Sequence, residues 1–402
     1  MLPEVLLKEL TVKTDSKIVL LVIDGLGGLP HKGKTELEVA FKPNLDALAK
    51  EGICGLMDPV YPGITPGSGP GHLALFGYDP LKYQVKRGVI EALGLGVEVL
   101  PGEVVARGNF ATLSEEGVVL DRRAGRIPSE RNRELCEELN LRLGEVEGVR
   151  VRFFPGKEHR FVVKFSGQGL SDEVTDTDPQ KEGYRPLDPQ PLSEKAERMV
   201  VVLRAFLRMV HEVLRDKRPA NGILLRGFSE IPCIPSLSEL YKLTPLCIAT
   251  YPMYKGLARL LGMEVVKGCE SIGDVFEALK VNFAKGYDFF YLHIKATDSR
   301  GEDGDFEGKV KVIEEVDRFV PLLKGLSPEV IVVTGDHSTP ALLKGHSWHP
   351  VPFLLRSPYE RIDDVERFTE RDCLRGGLGR FRAQEAMTLM LASALKLKKF
   401  GA

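Results

Sequence analysis

The sequence predicts an α/β fold, a mostly parallel sheet flanked by helices, with a smaller α+β domain inserted into it. Short and nearly continuous apolar runs alternate with helical patterns along the chain, which is typical of parallel strands buried on both faces. Three of these runs lead into acidic residues, as strands do at a ligand-binding edge. The runs are residues 18–23, 223–225, 246–249, 289–294 and 330–333.

The middle of the chain has a different pattern. Residues 118–120 and 160–165 read as separate short strands, and turn-rich stretches lie between them. One apolar helical stripe follows, formed by Met199, Leu203, Phe206, Val210 and Val213. We therefore predict a core made of residues 1–106 and 218–402, with residues 107–217 inserted as a substrate-capping domain.

The overall charge is close to neutral. A formal charge of −2 on 402 residues gives no basic excess for nucleic acid or for an anionic membrane surface. Any recognition of phosphate would therefore have to come from a local cluster of arginine and lysine side chains. We predict neither nucleic acid nor a membrane as a partner.

The cysteines and the N-terminus predict a cytoplasmic protein. Six cysteines lie far apart without a CxxC pair, which argues against a zinc ribbon or a disulfide framework and fits a reducing compartment. The first residues lack the basic region and the apolar core of a signal peptide. No apolar run approaches the ~20 residues needed to span a bilayer.

Acidic residues follow the ends of three predicted strands. Asp24 follows the first run, Asp298 follows residues 289–294, and Asp336 with His337 follows the last run. Because the carboxyl ends of parallel strands meet at one edge of a sheet, we expect these side chains to lie together. Carboxylates and imidazoles from separate segments suit hard divalent ions, and phosphoryl transfer often uses two ions about 3.5–4 Å apart.

Two further histidines, His346 and His349, lie in a proline-containing turn after this last strand. A lone aspartate after a strand is usually a helix cap, and loop histidines often bond only to nearby backbone. The adjacent pair Asp336 and His337 favours metal binding, because two neighbouring ligands can face two different ions. The predicted metal set is Asp24, Asp298, Asp336, His337 and His346.

The predicted nucleophile is Ser68, within the glycine- and proline-rich segment 65–72. A serine hydroxyl needs a base or a metal to act at neutral pH, and flanking glycines let the backbone bring it close to an ion. Such a segment is most often only a loop, so the prediction depends on the metal set. His72 is a candidate acid/base or packs beneath the loop, and Lys255 stabilises a leaving oxygen or simply begins a helix.

This ordered set resembles the alkaline-phosphatase superfamily and, within it, the archaeal branch of the cofactor-independent phosphoglycerate mutases. The resemblance extends over almost the whole chain in motifs that are weak singly and specific in this order. They are VIDG at 22–25, TPGS at 65–68, FGYDP at 76–80, EALG at 91–94, NFAT at 109–112, DRRAGRI at 121–127, EHRF at 158–161, DTDP at 176–179, ILLRG at 223–227 and HIKATD at 293–298. The resemblance implies an alkaline-phosphatase-like core.

The resemblance also implies roles for the candidate residues. It places Asp24, Ser68, Asp336 and His337 around one ion, and Asp298 and His346 around a second. It implies that a phosphoryl group passes from 3-phosphoglycerate to Ser68 and returns to the other hydroxyl of the same glycerate. The implied ions are Mn²⁺, Mg²⁺ or similar, and 2,3-bisphosphoglycerate is not required.

The chain departs from the family pattern at one ligand. The family has a histidine four residues after the aspartate that corresponds to Asp298, and this chain has Glu302 there, in the run 301–304. A glutamate coordinates hard ions but adds negative charge. We expect Glu302 to coordinate the second ion. The alternatives are Asp303 or His349 as the ligand, or a second site that is weak or empty.

Arginines within the matched motifs are the candidates for binding the phosphate and the carboxylate of a phosphoglycerate, since guanidinium groups form forked bonds to both. A single arginine is usually a solvated surface charge, and the motifs favour the functional interpretation. The predicted substrate-binding residues are Arg122, Arg126, His159 and Arg226.

Together these features predict a phosphoglycerate mutase in which the insert closes over the core and excludes water. Two alternatives stay open. One is a phosphomonoester hydrolase, or a mutase for another phosphorylated substrate, on the same scaffold. The other is an inactive relative that binds metal for regulation, against which the retention of Ser68 and most of the metal set argues.

Overall fold

A computed structural model describes residues 4–401. The strands are β1 Ile18–Ile23, β2 Ile53–Asp58, β3 Glu103–Leu113, β4 Val119–Asp121, β5 Glu145–Val146, β6 Val149–Pro155, β7 Arg160–Ser166, β8 Gly222–Ser229, β9 Pro245–Ala249, β10 Glu264–Val265, β11 Phe289–Ile294, β12 Val330–Thr334, β13 Val351–Arg356 and β14 Gly379–Arg382. The helices are α1 Glu4–Leu10, α2 Glu36–Val39, α3 Pro43–Ala49, α4 Ser68–Leu75, α5 Arg87–Gly94, α6 Ser129–Arg142, α7 Glu197–Leu214, α8 Leu237–Tyr241, α9 Pro252–Leu260, α10 Ile272–Asn282, α11 Ala296–Asp303, α12 Phe306–Asp317, α13 Val320–Leu326, α14 Glu370–Cys373 and α15 Ala383–Ser393.

The chain folds as two compact units. The first unit comprises the described residues of Met1–Gln84 and Ile234–Ala402, and the second is Val85–Cys233. The second unit is wider than the predicted insert 107–217, because it also includes α5, the whole of β3, and β8.

The first unit is an α/β structure around one sheet, with the strand order β10-β9-β11-β1-β12-β13-β2-β14. Only β13 among these described strands runs antiparallel to its neighbours, so the predicted, mostly parallel sheet is confirmed. Every residue of β1, β11 and β12 is buried. This explains their continuous apolar sequences, since helices cover both faces of a parallel sheet.

Strand β1 lies between β11 and β12, and all three run in the same direction. Ile23 at the end of β1 is paired with Ile294 at the end of β11, and Val22 is paired with Thr334 at the end of β12. The segments after these strands therefore leave the sheet at the same edge. Three chain segments distant in sequence are brought together there, as the pattern of acidic residues predicted.

The second unit is an α+β structure with an antiparallel sheet. Its strand order is β4-β3-β7-β6-β5, and β8 pairs with β3. The predicted helical stripe is confirmed in α7, where Met199, Leu203, Phe206 and Val210 are buried in the core of this unit and Val213 packs against it. Phe206 lies 5.6 Å from the ring of Phe153 and 5.1 Å from that of Phe165.

Strand β8 contains the apolar run 223–225, which the sequence pattern assigned to the core sheet. The structure places it in the second unit, antiparallel to β3. Ile223 and Leu225 face the core that includes α7, whereas Leu224 packs with Ala111 and Val119 in a separate small cluster. Both faces of β8 are therefore covered, which is why an antiparallel strand has a continuous apolar sequence.

The helices between residues 4 and 401 include none that combines the length and the apolar composition needed to cross a membrane. The 18-residue α7 is amphipathic, with arginines and glutamates interspersed along its outer face. Its apolar stripe is used by the core of its own unit.

Candidate metal centre and nucleophile

Asp24 follows directly after β1, and its side chain is completely buried. Its Oδ2 lies 3.0 Å from His293 Nε2 and 3.3 Å from Lys295 Nζ, and its Oδ1 lies 3.3 Å from His337 Nε2. Burial alone raises the pKa of Asp24, but the bond from His293 and the charge of Lys295 hold that pKa well below its usual value. Asp24 is therefore a carboxylate directed into the protein interior.

Asp336 and His337 follow β12 and are also completely buried. Asp336 Oδ2 lies 3.2 Å from His337 Nε2, and Asp336 Oδ1 accepts a bond from the backbone of Gly25 at 3.3 Å. Burial and the neighbouring Asp24 raise the pKa of Asp336, while His337 and His72 lower it, and the net direction is downward. A second carboxylate therefore lies beside the first.

Two of these carboxylate oxygens, Asp24 Oδ1 and Asp336 Oδ2, are buried and accept no hydrogen bond. An unsatisfied buried carboxylate oxygen is costly, and a cation removes that cost. Together with His337, these residues form a group whose ligand atoms lie within 4.8 Å of one another. The donor set of carboxylate oxygens and an imidazole nitrogen fits a hard or borderline divalent ion.

Ser68 is the first residue of α4, directly after Gly67. Its Oγ lies 3.2 Å from His337 Nε2, the same nitrogen that faces Asp24 and Asp336. The helix comes this close to the strand end because Gly71 has no side chain: a Cβ there would lie 2.4 Å from the backbone oxygen of Asp336. The Ser68 hydroxyl therefore faces the first group of ligand atoms.

A second group is formed by Asp298, His337 and His346, also with ligand atoms within 4.8 Å of one another. His346 Nε2 lies 3.5 Å from Asp298 Oδ1, and the His346 ring stacks on the His337 ring at 3.6 Å between centroids. Glu302 lies on α11 one turn after Asp298, with Oε1 3.8 Å from His346 Nε2 and a side chain that is 53% exposed. Glu302 is thus adjacent to this group from the solvent side.

His72 contacts the backbone at Ser68 and not its hydroxyl. His72 Nδ1 lies 2.8 Å from the Ser68 carbonyl oxygen and 3.1 Å from Asp336 Oδ2, and the ring is completely buried. Burial lowers the pKa of His72, the Asp336 carboxylate raises it, and the net direction is upward. This arrangement supports the packing interpretation of His72, beneath the start of α4.

Lys255 lies on α9 and is half-buried. Burial raises the pKa of the Cys247 thiol, and the charge of Lys255 opposes this shift. Its role at a leaving oxygen stays a prediction.

Four residues at this centre were not predicted from the sequence. Lys295 forms ion pairs with both Asp24 and Asp298, and its Nζ lies 3.3 Å from the hydroxyl of Tyr254. The Tyr254 ring stacks on the His293 ring at 3.6 Å. Thr339 contacts Asp298 and His337. The one available signal was a histidine within the otherwise apolar strand β11.

The predicted substrate-binding residues all lie in the second unit. Arg122 forms two bonds to the buried carboxylate of Asp178, at 3.0 and 2.7 Å, and Arg226 Nη1 lies 3.7 Å from the same group. Arg126 is exposed on a 3₁₀ turn. Burial, reinforced by the charge of Arg160, lowers the pKa of His159 to about 4. Arg122 and Arg226 are thus brought together on one acidic side chain.

Further arginines of this unit form a basic cluster around Arg107, a residue outside the matched motifs. Arg107 is paired with Arg226 across β3 and β8, and its guanidinium lies 3.4 Å from Glu91. Burial lowers the pKa of Arg107, Glu91 opposes this, and the nearby Arg87 and Arg160 lower it further. Arg160 Nε is buried without a hydrogen-bond partner. Such a cluster has the charge needed to bind an anion.

Comparison with known proteins identifies the family. The family model described as 2,3-bisphosphoglycerate-independent phosphoglycerate mutase matches residues 49–221. A Thermus thermophilus protein named probable 2,3-bisphosphoglycerate-independent phosphoglycerate mutase is 55% identical over 402 residues, covering 98% of each chain. A Thermotoga maritima protein with the same name is 53% identical over 394 residues, also covering 98% of each chain.

Two solved structures share the fold. The PH0037 protein from Pyrococcus horikoshii has a TM-score of 0.81 at 30% identity, covering 96% of this chain and 99% of its own. The cofactor-independent phosphoglycerate mutase from Thermoplasma acidophilum has a TM-score of 0.73 at 34% identity, covering 94% of this chain and 100% of its own.

The fold and the site define an α/β enzyme with carboxylates and imidazoles clustered beyond the central strands of a mostly parallel sheet. The chain belongs to the 2,3-bisphosphoglycerate-independent phosphoglycerate mutase family. The resemblance to the cofactor-independent phosphoglycerate mutases is confirmed, and the family is one of isomerases.

Proposed function

We propose that the protein interconverts 3-phosphoglycerate and 2-phosphoglycerate through a phosphoserine at Ser68, without 2,3-bisphosphoglycerate. The observation that supports this most is the position of Ser68 Oγ, 3.2 Å from the His337 nitrogen at which Asp24 and Asp336 also converge. The names of the relatives at 55% and 53% identity support the substrate.

The ligand groups divide into two subsites. Asp24, Asp336 and His337 would hold one ion beside Ser68, and Asp298 and His346 would hold a second with Glu302. When bound, divalent ions offset the charge of the phosphoryl group and favour the serine alkoxide at neutral pH. The three buried carboxylates, with Lys295 between two of them, leave an excess of negative charge that such ions balance.

The protein residues then perform two half-reactions. In the first, Ser68 loses its proton, the Oγ–P bond forms, and the P–O bond to the glycerate breaks while the leaving oxygen takes up a proton. In the second, the other glycerate hydroxyl loses its proton and forms the new O–P bond, the Oγ–P bond breaks, and Ser68 Oγ takes up a proton. Helix α4 begins at Ser68 with backbone N–H groups that favour an anionic phosphate there.

The second unit supplies the arginines that retain the glycerate between the half-reactions. Arg122 is held by Asp178, Arg126 is exposed, and the basic cluster around Arg107 lies in the same unit. These charges support binding of a substrate that has two anionic groups, a phosphate and a carboxylate. Retention separates a mutase from a hydrolase, because a phosphoserine left without its glycerate is attacked by water.

Product analysis tests this function directly. The full chain loaded with Mn²⁺ and given 3-phosphoglycerate is expected to form 2-phosphoglycerate, with free phosphate as a minor product. Free phosphate as the main product would identify a phosphomonoester hydrolase on the same scaffold. If the protein binds the ion but forms neither 2-phosphoglycerate nor free phosphate, it is an inactive relative.

Arg126→Ala is expected to lower mutase kcat/KM by about 10- to 100-fold, the value of one hydrogen bond to a charged group. The rate at which p-nitrophenyl phosphate phosphorylates Ser68 is expected to fall much less in this variant, because that donor has no glycerate to retain. Arg126 is preferred to Arg122 here, because removing Arg122 would leave the buried Asp178 without its forked partner. Arg131→Ala, on the exposed face of α6, is the control. Equal losses in both assays would contradict the role in retention.

Glu302→Gln is expected to lower the affinity of the second subsite for its ion by more than about 10-fold, while the affinity of the first subsite stays unchanged. Calorimetric titration of the metal-stripped protein with Mn²⁺ measures both steps. Asp303→Asn is the matched comparison, since Asp303 is the exposed neighbour that could substitute as a ligand. An unchanged second affinity in Glu302→Gln, with a loss in Asp303→Asn, would assign the ligand to Asp303 instead.

A further inference from the structure

Thr339 lies two residues after His337 and is completely buried. Its hydroxyl oxygen is 2.6 Å from Asp298 Oδ1 and 2.9 Å from His337 Nδ1. Asp298 belongs to the second ligand group, and His337 also belongs to the first. One hydroxyl therefore contacts a ligand side chain of each subsite.

The direction of these two bonds follows from the number of protons. A hydroxyl has one proton to donate, and the carboxylate of Asp298 can only accept it. The hydroxyl oxygen is then the acceptor for His337, so His337 Nδ1 has to bear the proton. This leaves His337 Nε2 with its lone pair free, and Nε2 is the nitrogen that faces Ser68 Oγ at 3.2 Å and Asp24 Oδ1 at 3.3 Å.

Thr339 is itself held on both sides of its backbone. Its N–H is shared between the carbonyl oxygens of Gly25 and Gly27, at 3.2 and 3.1 Å. Its own carbonyl accepts a bond of 2.9 Å from the buried ammonium of Lys309, which also donates to Gly27. A Cβ at Gly25 would lie 2.6 Å from the Thr339 hydroxyl, so a glycine there leaves room for the contact.

We propose that Thr339 is a positioning residue that selects the metal-binding tautomer of His337 and joins the two ion subsites through its hydroxyl. The inference rests on the two-ion site proposed above. Because the same hydroxyl orients Asp298 and His337, its loss weakens the binding of both ions together. Hydrogen bonds that fix a ligating histidine typically change metal affinity by about 10- to 100-fold.

A buried threonine often only satisfies backbone groups, and Thr334 in the same segment shows that ordinary role. Thr334 is also completely buried, and its hydroxyl donates to the backbone oxygen of Pro352 at 2.9 Å. Thr334→Val therefore removes a buried hydroxyl beside the same site without removing a contact to a ligand side chain. It is the matched control for Thr339→Val.

The test is calorimetric titration of the metal-stripped full chain with Mn²⁺. Thr339→Val, which keeps the shape and removes the hydroxyl, is expected to weaken both binding steps by about 10- to 100-fold. Thr339→Ser is expected to restore both to near the wild-type values, and Thr334→Val to leave both unchanged. The proposal would be overturned if Thr339→Val weakened only one binding step or neither. It would also be overturned if Thr334→Val weakened both steps as much as Thr339→Val does.

The tautomer provides a second readout that does not depend on activity or on bound metal. Long-range ¹⁵N–¹H spectra of histidine-labelled, metal-free protein are expected to show His337 protonated at Nδ1 in the wild type and in Thr339→Ser, with this state lost in Thr339→Val. Thr339→Cys, a weaker donor of similar size, replaces the valine variant if that variant does not fold. A wild-type protein that binds fewer than two ions would contradict the proposed function, whereas two ions with unchanged affinity in Thr339→Val would contradict only this inference.

Discussion

Ser68→Ala is expected to reduce the conversion of 3- to 2-phosphoglycerate by a factor on the order of 10⁴ or more, as loss of a covalent nucleophile does in other enzymes. No other described hydroxyl occupies its place at the start of α4, 3.2 Å from His337 Nε2. The coupled assay with enolase measures the loss. The variant is expected to keep its ion binding, since Asp24, Asp336 and His337 retain their contacts with one another.

Ser357→Ala is the matched control for this experiment. Ser357 follows β13, the antiparallel strand, and its buried hydroxyl donates to the backbone of Ser393 at 3.0 Å. Loss of this hydroxyl is expected to cost about 1 kcal/mol of stability and to leave turnover unchanged. Substantial residual mutase activity in Ser68→Ala, at unchanged ion content, would contradict a phosphoserine mechanism.

Asp336→Asn is expected to give the second largest effect, a loss of activity of about 10³-fold, because it removes about 4 kcal/mol of charge stabilisation. The asparagine keeps the shape of the side chain and removes the charge that lies beside Asp24. Burial and Asp24 raise the pKa of Asp336, but His337 and His72 lower it by more, so the charged carboxylate stabilises the metal-free fold on balance. Thermal unfolding of the metal-free variant is therefore expected at a lower temperature than that of the wild type.

Asp58→Asn separates the two effects. Asp58 is also buried, but it forms two bonds of 2.8 Å to Arg380 and lies outside both ligand groups. Its substitution is expected to lower the unfolding temperature and to keep both ions. A loss of activity in Asp336→Asn that only parallels a loss of stability would argue for a structural carboxylate instead of a metal ligand.

Much of the first unit was predictable, because parallel strands covered on both faces have short continuous apolar sequences. Strands β1 and β11 begin and end at the same residues as the predicted apolar runs. The topology then brings Asp24, Asp298 and Asp336 together without further information, since the ends of neighbouring parallel strands meet at one edge. Strand β8 was assigned to the core sheet because burial on both faces erased the alternation that usually marks an antiparallel strand.

The supporting contacts of the site could not be predicted. Lys295 lies within one of the matched motifs, and Thr339 lies in none of them. Only the tertiary structure shows that Lys295 pairs with two carboxylates and that Thr339 bridges two ligand groups. The family pattern placed Glu302 at a ligand position, and the structure shows it adjacent to His346 from the solvent side. The basic cluster around Arg107 depends on strand pairing in the second unit, which no local motif specifies.

The central claim, a phosphoryl group held on Ser68 during turnover, is tested most directly by trapping it. The Mn²⁺-loaded protein is mixed with 3-phosphoglycerate, quenched in acid within milliseconds, digested and analysed by mass spectrometry. The account predicts a phosphorylated peptide with the modification on Ser68, formed at a rate at least equal to turnover and absent from Ser68→Ala. Rapid turnover without that peptide, or with the phosphate on another residue, would contradict it.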